Sequence, residues 1–75
     1  MAGTATLVQK MRKVAKEIDK THPDQANDLR EKADALDAAT EGYWGQPQTY
    51  TAKQFLGCYA RARILYCNLT GENLV

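Results

Sequence analysis

The sequence predicts a small all-α protein of three helices, in which the first two form an antiparallel hairpin and the third is a long C-terminal helix. Two apolar stripes of helical period are followed by a segment that carries both a helix start signal and a helix stop signal. The 75 residues suffice for one domain, 1–75. A core of that size rarely supplies more than about 3–5 kcal/mol of net stability, so we expect an oligomer.

The first two helices are predicted over 4–20 and 23–39. In the first, the apolar stripe is formed by Leu7, Met11, Val14 and Ile18. In the second, the stripe is lean and rich in small residues: Ala26, Leu29, Ala33 and Leu36. Pro23 separates the two helices, because proline is tolerated in the first turn of a helix and not in its interior. The short break favours the hairpin.

The third helix is predicted over 52–70, after a loop over 40–51 in which Gly42, Gly45 and Pro47 act as turn residues. Thr51 and Gln54 have the spacing of a capping box, and Tyr50 and Phe55 that of a hydrophobic staple. Gly71 stands where a left-handed residue would end the helix. The helix is therefore specified at both ends.

This third helix has two apolar arcs when its residues are placed at 100° intervals. The broader arc consists of Phe55, Cys58, Tyr59, Ala62, Leu65, Tyr66 and Leu69. The second consists of Leu56, Ala60, Ile64 and Cys67. Either the helix packs between the other two, or the second arc serves self-association or another protein. We favour self-association, because the first two helices offer few large residues to cover both arcs.

Charge is segregated along the chain. Residues 1–20 carry a net charge of +3, residues 21–42 a net charge of −4, and the remainder +2. Opposite charges on the first two helices favour their pairing. The basic side of the first helix, made of Arg12, Lys13, Lys16 and Lys20, is a weak candidate for binding nucleic acid. Nucleic-acid binders of this size are usually more basic overall.

No catalytic pattern is present, and we expect no enzyme, metal or cofactor. The sequence contains no serine, one histidine and no glycine-rich phosphate loop. Cys58 and Cys67 are nine residues apart on one helix, so they point to opposite sides and cannot form a disulfide with each other. The first residues lack the apolar core of a signal peptide, and no run reaches the length of a membrane span. We therefore expect a cytoplasmic protein.

Tyr43 and Trp44 are the best candidates for binding a partner, since such side chains bury a large area at a small entropic cost. The alternative for Trp44 is to fold back over the hairpin and cap its core. Arg61 and Arg63 are further candidates, although they point about 160° apart around the helix. In an oligomer, Tyr59, Tyr66, Trp44 and Arg63 would be able to form a pocket for a small ligand or nucleotide.

These features predict a non-enzymatic protein-binding protein. It would act as an inhibitor or adaptor that occludes a macromolecular partner, and it would self-associate through the third helix. Small helical proteins of this kind are common among the accessory proteins of phages and mobile elements, an association by class that no motif supports. An oligomeric protein that sequesters a small ligand or nucleotide is the alternative, and weak nucleic-acid binding through the first helix is a further one.

Overall fold

A computed structural model describes residues 2–72, which form three helices and contain no strand. These are α1 (Ala2–Ile18), α2 (Pro23–Trp44) and α3 (Ala52–Thr70). The prediction of a small all-α protein with three helices is confirmed.

α1 and α2 form an antiparallel hairpin, as their ion pairs show. Arg12 of α1 lies 2.9 Å from the carboxylate of Asp34 and 3.6 Å from that of Asp37. In the turn directly after α1, Asp19 lies 3.0 Å from Arg30 of α2. Residues further along α1 thus pair with earlier residues of α2. The Arg12 pairs join the basic first segment to the acidic second segment, whereas the signs are reversed in the Asp19–Arg30 pair.

α1 ends at Ile18, two residues before the predicted end at Lys20. The carbonyl oxygen of Ile18 accepts hydrogen bonds from the backbone N–H groups of Thr21 and His22, at 3.1 and 2.7 Å. These bonds close a turn and leave Pro23 at the first position of α2, where its missing N–H costs nothing.

α2 continues through Gly42 to Trp44, five residues beyond its predicted end at residue 39. The predicted loop over 40–51 is therefore only the seven-residue connection 45–51. The helical course is held by tertiary contacts. The N–H groups of Thr49 and Tyr50 donate to the carbonyl of Gly42, and Tyr43 stacks on a residue of α3. These contacts outweigh the low helix propensity of glycine, about 1 kcal/mol below alanine.

α3 has both of the predicted caps. The Thr51 hydroxyl accepts from the N–H of Gln54 at 3.2 Å, and the Gln54 side chain accepts from the N–H of Thr51 at 2.8 Å. At the other end, Gly71 is left-handed (φ 73°), and its N–H donates to the carbonyl of Cys67. Glycine favours this conformation because it has no Cβ.

The core combines large apolar side chains with several alanines. The apolar residues buried among residues 4–72 are Leu7, Val8, Met11, Ala15, Ala26, Leu29, Ala33, Leu36, Ala39, Phe55, Ala62 and Tyr66. Five of them are alanines with no exposed surface, which allow the helices to approach closely. The predicted stripe of α2 is fully buried. In α1, Val14 and Ile18 are only half-buried, and Val8 and Ala15 are buried with Leu7 and Met11.

α3 crosses the hairpin from the end of α2 to the middle of α1. At its start, the ring of Phe55 stacks on that of Tyr43 at a centroid distance of 5.1 Å. Beyond its end, the carboxylate of Glu72 lies 2.8 Å from the Lys10 ammonium. Glu72 also accepts a hydrogen bond from the hydroxyl of Tyr66, which is buried in the core. The hairpin thus contacts one side of α3.

Candidate interaction surface

The second apolar arc of α3 lies on the side away from the hairpin. Leu56 is 58% exposed and Ile64 60% exposed; Ala60 is also exposed, and Cys67 is half-buried. We call these four residues the outer strip. Neither α1 nor α2 covers the strip, so the alternative in which α3 packs between the other helices is wrong for the single chain. The broader arc, in contrast, is buried or half-buried along its length.

A shallow groove follows the outer strip, and residues of α3 alone line it. Tyr59, Arg63 and Asn68 line it together with the strip. Because no second element supplies a wall, the groove is open along its length and does not enclose a small molecule. A surface of this shape suits another helix laid along it better than it suits a compact ligand.

Positive charge surrounds the outer strip. Lys53 lies three residues before Leu56 and therefore continues the line of the strip toward the start of α3. Arg61 and Arg63 border it on opposite sides, so they do not form one clamp. Lys53 and Arg61 are exposed, make no ion pair within residues 2–72, and line one depression with Tyr50, Gln54, Gly57 and Cys58. The sequence of α3 contains no acidic residue.

Lys53 is a residue that the pattern of apolar arcs alone misses. The sequence does contain the information needed to find it: Lys53 is a charged residue at a helical position in line with the strip. It lies in the first turn of α3, where the helix dipole disfavours a cation, and no acid accompanies it there.

Trp44 is a third large apolar side chain that is exposed, 58% exposed at the end of α2. It does not cap the core of the hairpin. Its ring lies edge-on to that of Tyr43, with 4.8 Å between the centroids, and Tyr43 in turn stacks on the buried Phe55. Tyr43 and Trp44 are the last two residues of α2, whereas the sequence predicted that they lie in a glycine-bounded loop. The contacts between the rings hold Trp44 in place while much of it faces solvent.

The four residues proposed for a nucleotide pocket do not converge in one chain. Tyr59 and Arg63 line the open groove, whereas Trp44 and Tyr66 do not. Tyr66 is buried and its hydroxyl donates to Glu72. This hydrogen bond, burial and the charge of Glu72 raise the pKa of Tyr66 to about 12. The Tyr66 side chain therefore packs in the core and holds Glu72 at the C-terminal end of α3, so it does not face a ligand in the single chain.

The basic side of α1 is partly occupied. The Arg12 guanidinium pairs with Asp34 and Asp37 of α2, and the hydrogen bond to Asp34 raises its pKa. Lys13, Lys16 and Lys20 remain exposed. The seven residues that connect α2 and α3 exceed the three or four of a helix-turn-helix motif.

Cys58 and Cys67 are free, half-buried thiols. Within residues 2–72, no three histidine, cysteine or acidic side chains approach one another closely enough to hold a metal ion. The helices of this part of the chain are too short or too polar to cross a bilayer. Comparison of the chain with protein-family models, with curated proteins and with solved structures gave no match.

Proposed function

We propose that the protein is a non-enzymatic binding protein, an inhibitor or adaptor that occludes a macromolecular partner through the outer strip of α3. One observation carries this proposal. Leu56 and Ile64 remain more than half exposed on a helix whose opposite side already packs against the hairpin. Since burying such side chains is worth about 1.5–3 kcal/mol each, a surface that leaves both in water gains from association.

Trp44 supports the same proposal independently. The Trp44 ring, in contact with the ring of Tyr43, loses little conformational freedom when a partner covers it, which is a property of interface hot spots. Trp44 would be a second contact point, at the C-terminal end of α2.

Self-association is one way to cover the outer strip. Leu56 and Ile64 lie four residues on either side of Ala60. Two antiparallel copies of α3 that meet at Ala60 would therefore match Leu56 of each copy with Ile64 of the other. The small side chain at the centre allows the two helices to approach closely.

Native mass spectrometry of the untagged protein, purified from the cells that produce it, tests this function. We expect the wild-type chain to carry a second chain, either a copy or another protein. Leu56→Asp with Ile64→Asp should release that chain and leave the helical circular dichroism unchanged.

The matched control is Ala35→Asp with Ala38→Asp, which adds two carboxylates at exposed positions of α2. This control should retain the bound chain. A bare wild-type monomer of 8.4 kDa, or an assembly that survives in the strip variant, would contradict the proposal.

A further inference from the structure

We infer that the occupant of the outer strip is an acidic amphipathic helix of another protein, with its apolar side chains on Leu56 and Ile64 and its carboxylates on Lys53 and Arg61. This inference rests on the proposed function and adds the chemistry of the partner. It is carried by the charge around the strip.

The charge is of one sign. α3 contains Lys53, Arg61 and Arg63 and no acid over its 19 residues. Lys53 lies on the line of the strip, and Arg61 lies at its border. Neither makes an ion pair within residues 2–72, whereas Arg12 of α1 pairs with Asp34 and Asp37 of α2. Lys53 and Arg61 are therefore available to a partner that brings the acids.

A second copy of α3 fits this charge less well. In an antiparallel pair that meets at Ala60, the two Arg61 side chains would lie on the same side of the pair, near its two-fold axis. The copy would bring further cations and no acid to either border. Like charges that face each other across an interface disfavour the pairing, so cations on both copies disfavour a second α3. A partner with acidic side chains would instead be favoured.

The apolar part of the surface indicates a helix rather than a nucleic acid or a membrane. Ala60, at the centre of the outer strip, has a small and exposed side chain, so a second helical backbone is able to approach. Phosphate recognition would make no use of Leu56 and Ile64. Two large apolar residues also give little insertion into a bilayer.

The test uses three fluorescent peptides, each as long as α3, and measures their anisotropy with the full-length protein. The first is helical, with a leucine–alanine–isoleucine stripe bordered by glutamates. The second replaces every glutamate by lysine. The third has the composition of the first with its stripe interrupted. We expect the acidic striped peptide to bind about tenfold more tightly than the other two.

Two charge variants sharpen the test. Lys53→Glu with Arg61→Glu should reverse the preference between the acidic and the basic striped peptides. Lys13→Glu with Lys16→Glu, the same change of charge on exposed positions of α1, should leave the affinities unchanged. Leu56→Asp with Ile64→Asp should abolish binding of both striped peptides.

Several results would overturn the inference: equal binding of the acidic and basic striped peptides, equal binding of the interrupted peptide, or no peptide binding. Sedimentation with phosphatidylcholine–phosphatidylserine vesicles in the absence of peptide binding would overturn it in favour of a membrane. If no peptide binds but native mass spectrometry shows a dimer that depends on Leu56 and Ile64, this inference fails while the proposed function stands. If no strip-dependent complex of any kind forms, both fail.

Discussion

Glu72 links two helices through a single side chain. One carboxylate oxygen lies 2.8 Å from the Lys10 ammonium of α1, and the other accepts the hydrogen bond from the Tyr66 hydroxyl of α3. The hydrogen bonds from Lys10 and from Tyr66 lower the pKa of Glu72, and the same carboxylate raises that of Tyr66. The contact therefore responds to both acid and alkali.

The pH dependence follows from these two directions. The pKa of Glu72 is lower in the folded state than its ordinary value of 4.5, so its contribution is present above that pH and is lost as the pH falls through the folded value. The pKa of Tyr66 is raised, so its contribution is complete below pH 10 and is lost as the pH rises toward 12. The contact is fully stabilising between these two ranges.

Replacing Glu72 by Gln should move the Tyr66 pKa from about 12 back toward 10, because the phenol would lose its hydrogen bond to a carboxylate and its ionisation would no longer place two negative charges together. Near-ultraviolet absorbance of tyrosinate during alkaline titration measures this shift. Tyr66→Phe should remove the late-titrating phenol altogether. If the Gln variant titrates like the wild type, the contact with Glu72 does not determine the pKa.

At the scale of elements, the sequence identified the ends of α3 and missed the end of α2. Thr51, Gln54 and Gly71 act through local hydrogen bonds, and such signals are readable from spacing alone. Gly42 has the appearance of a turn residue, but contacts with Thr49, Tyr50 and α3 keep it helical. Those contacts are tertiary, so they cannot be predicted from a local sequence pattern.

Two glycine substitutions should have opposite effects on stability. A Cβ on Gly42 would lie 2.2 Å from the Tyr50 ring, so Gly42→Ala should destabilise the fold by about 1–3 kcal/mol. A Cβ on Gly57 would meet only Arg61, at 3.8 Å, so Gly57→Ala should stabilise the helix by up to about 1 kcal/mol. Urea unfolding compares both with the wild type. If Gly42→Ala were the more stable of the two variants, the Tyr50 ring would have to move aside without loss of stability, and the prediction would be wrong.

At the scale of the whole molecule, the two arcs of α3 explain what was predictable about the candidate surface. Their separation around the helix follows from periodicity, so Leu56, Ala60 and Ile64 were identifiable without coordinates. Which arc faces the hairpin depends on how α3 crosses it, and that crossing is fixed by contacts distant in sequence, such as Lys10 with Glu72. The exposure of Trp44 likewise depends on the helical course of α2 beyond Gly42.

The core and the outer strip should differ sharply in their tolerance of truncation. Leu29 has no exposed surface, so Leu29→Ala should cost about 2–5 kcal/mol, comparable with the whole stability of so small a domain. Leu56→Ala should change the free energy of unfolding by no more than about 0.5 kcal/mol. Thermal unfolding followed by circular dichroism checks both. A cooperative transition near that of the wild type for Leu29→Ala would contradict the assigned core.

The buried alanines constrain how this fold is able to change in evolution. Ala15, Ala26, Ala33, Ala39 and Ala62 have no exposed surface, and larger side chains there would separate the helices. Substitution at these positions is consequently limited to the smallest residues, while most of the surface is free to diverge. The trait that descendants of a common ancestor would retain is a spacing of small residues, a weaker mark of kinship than a catalytic motif.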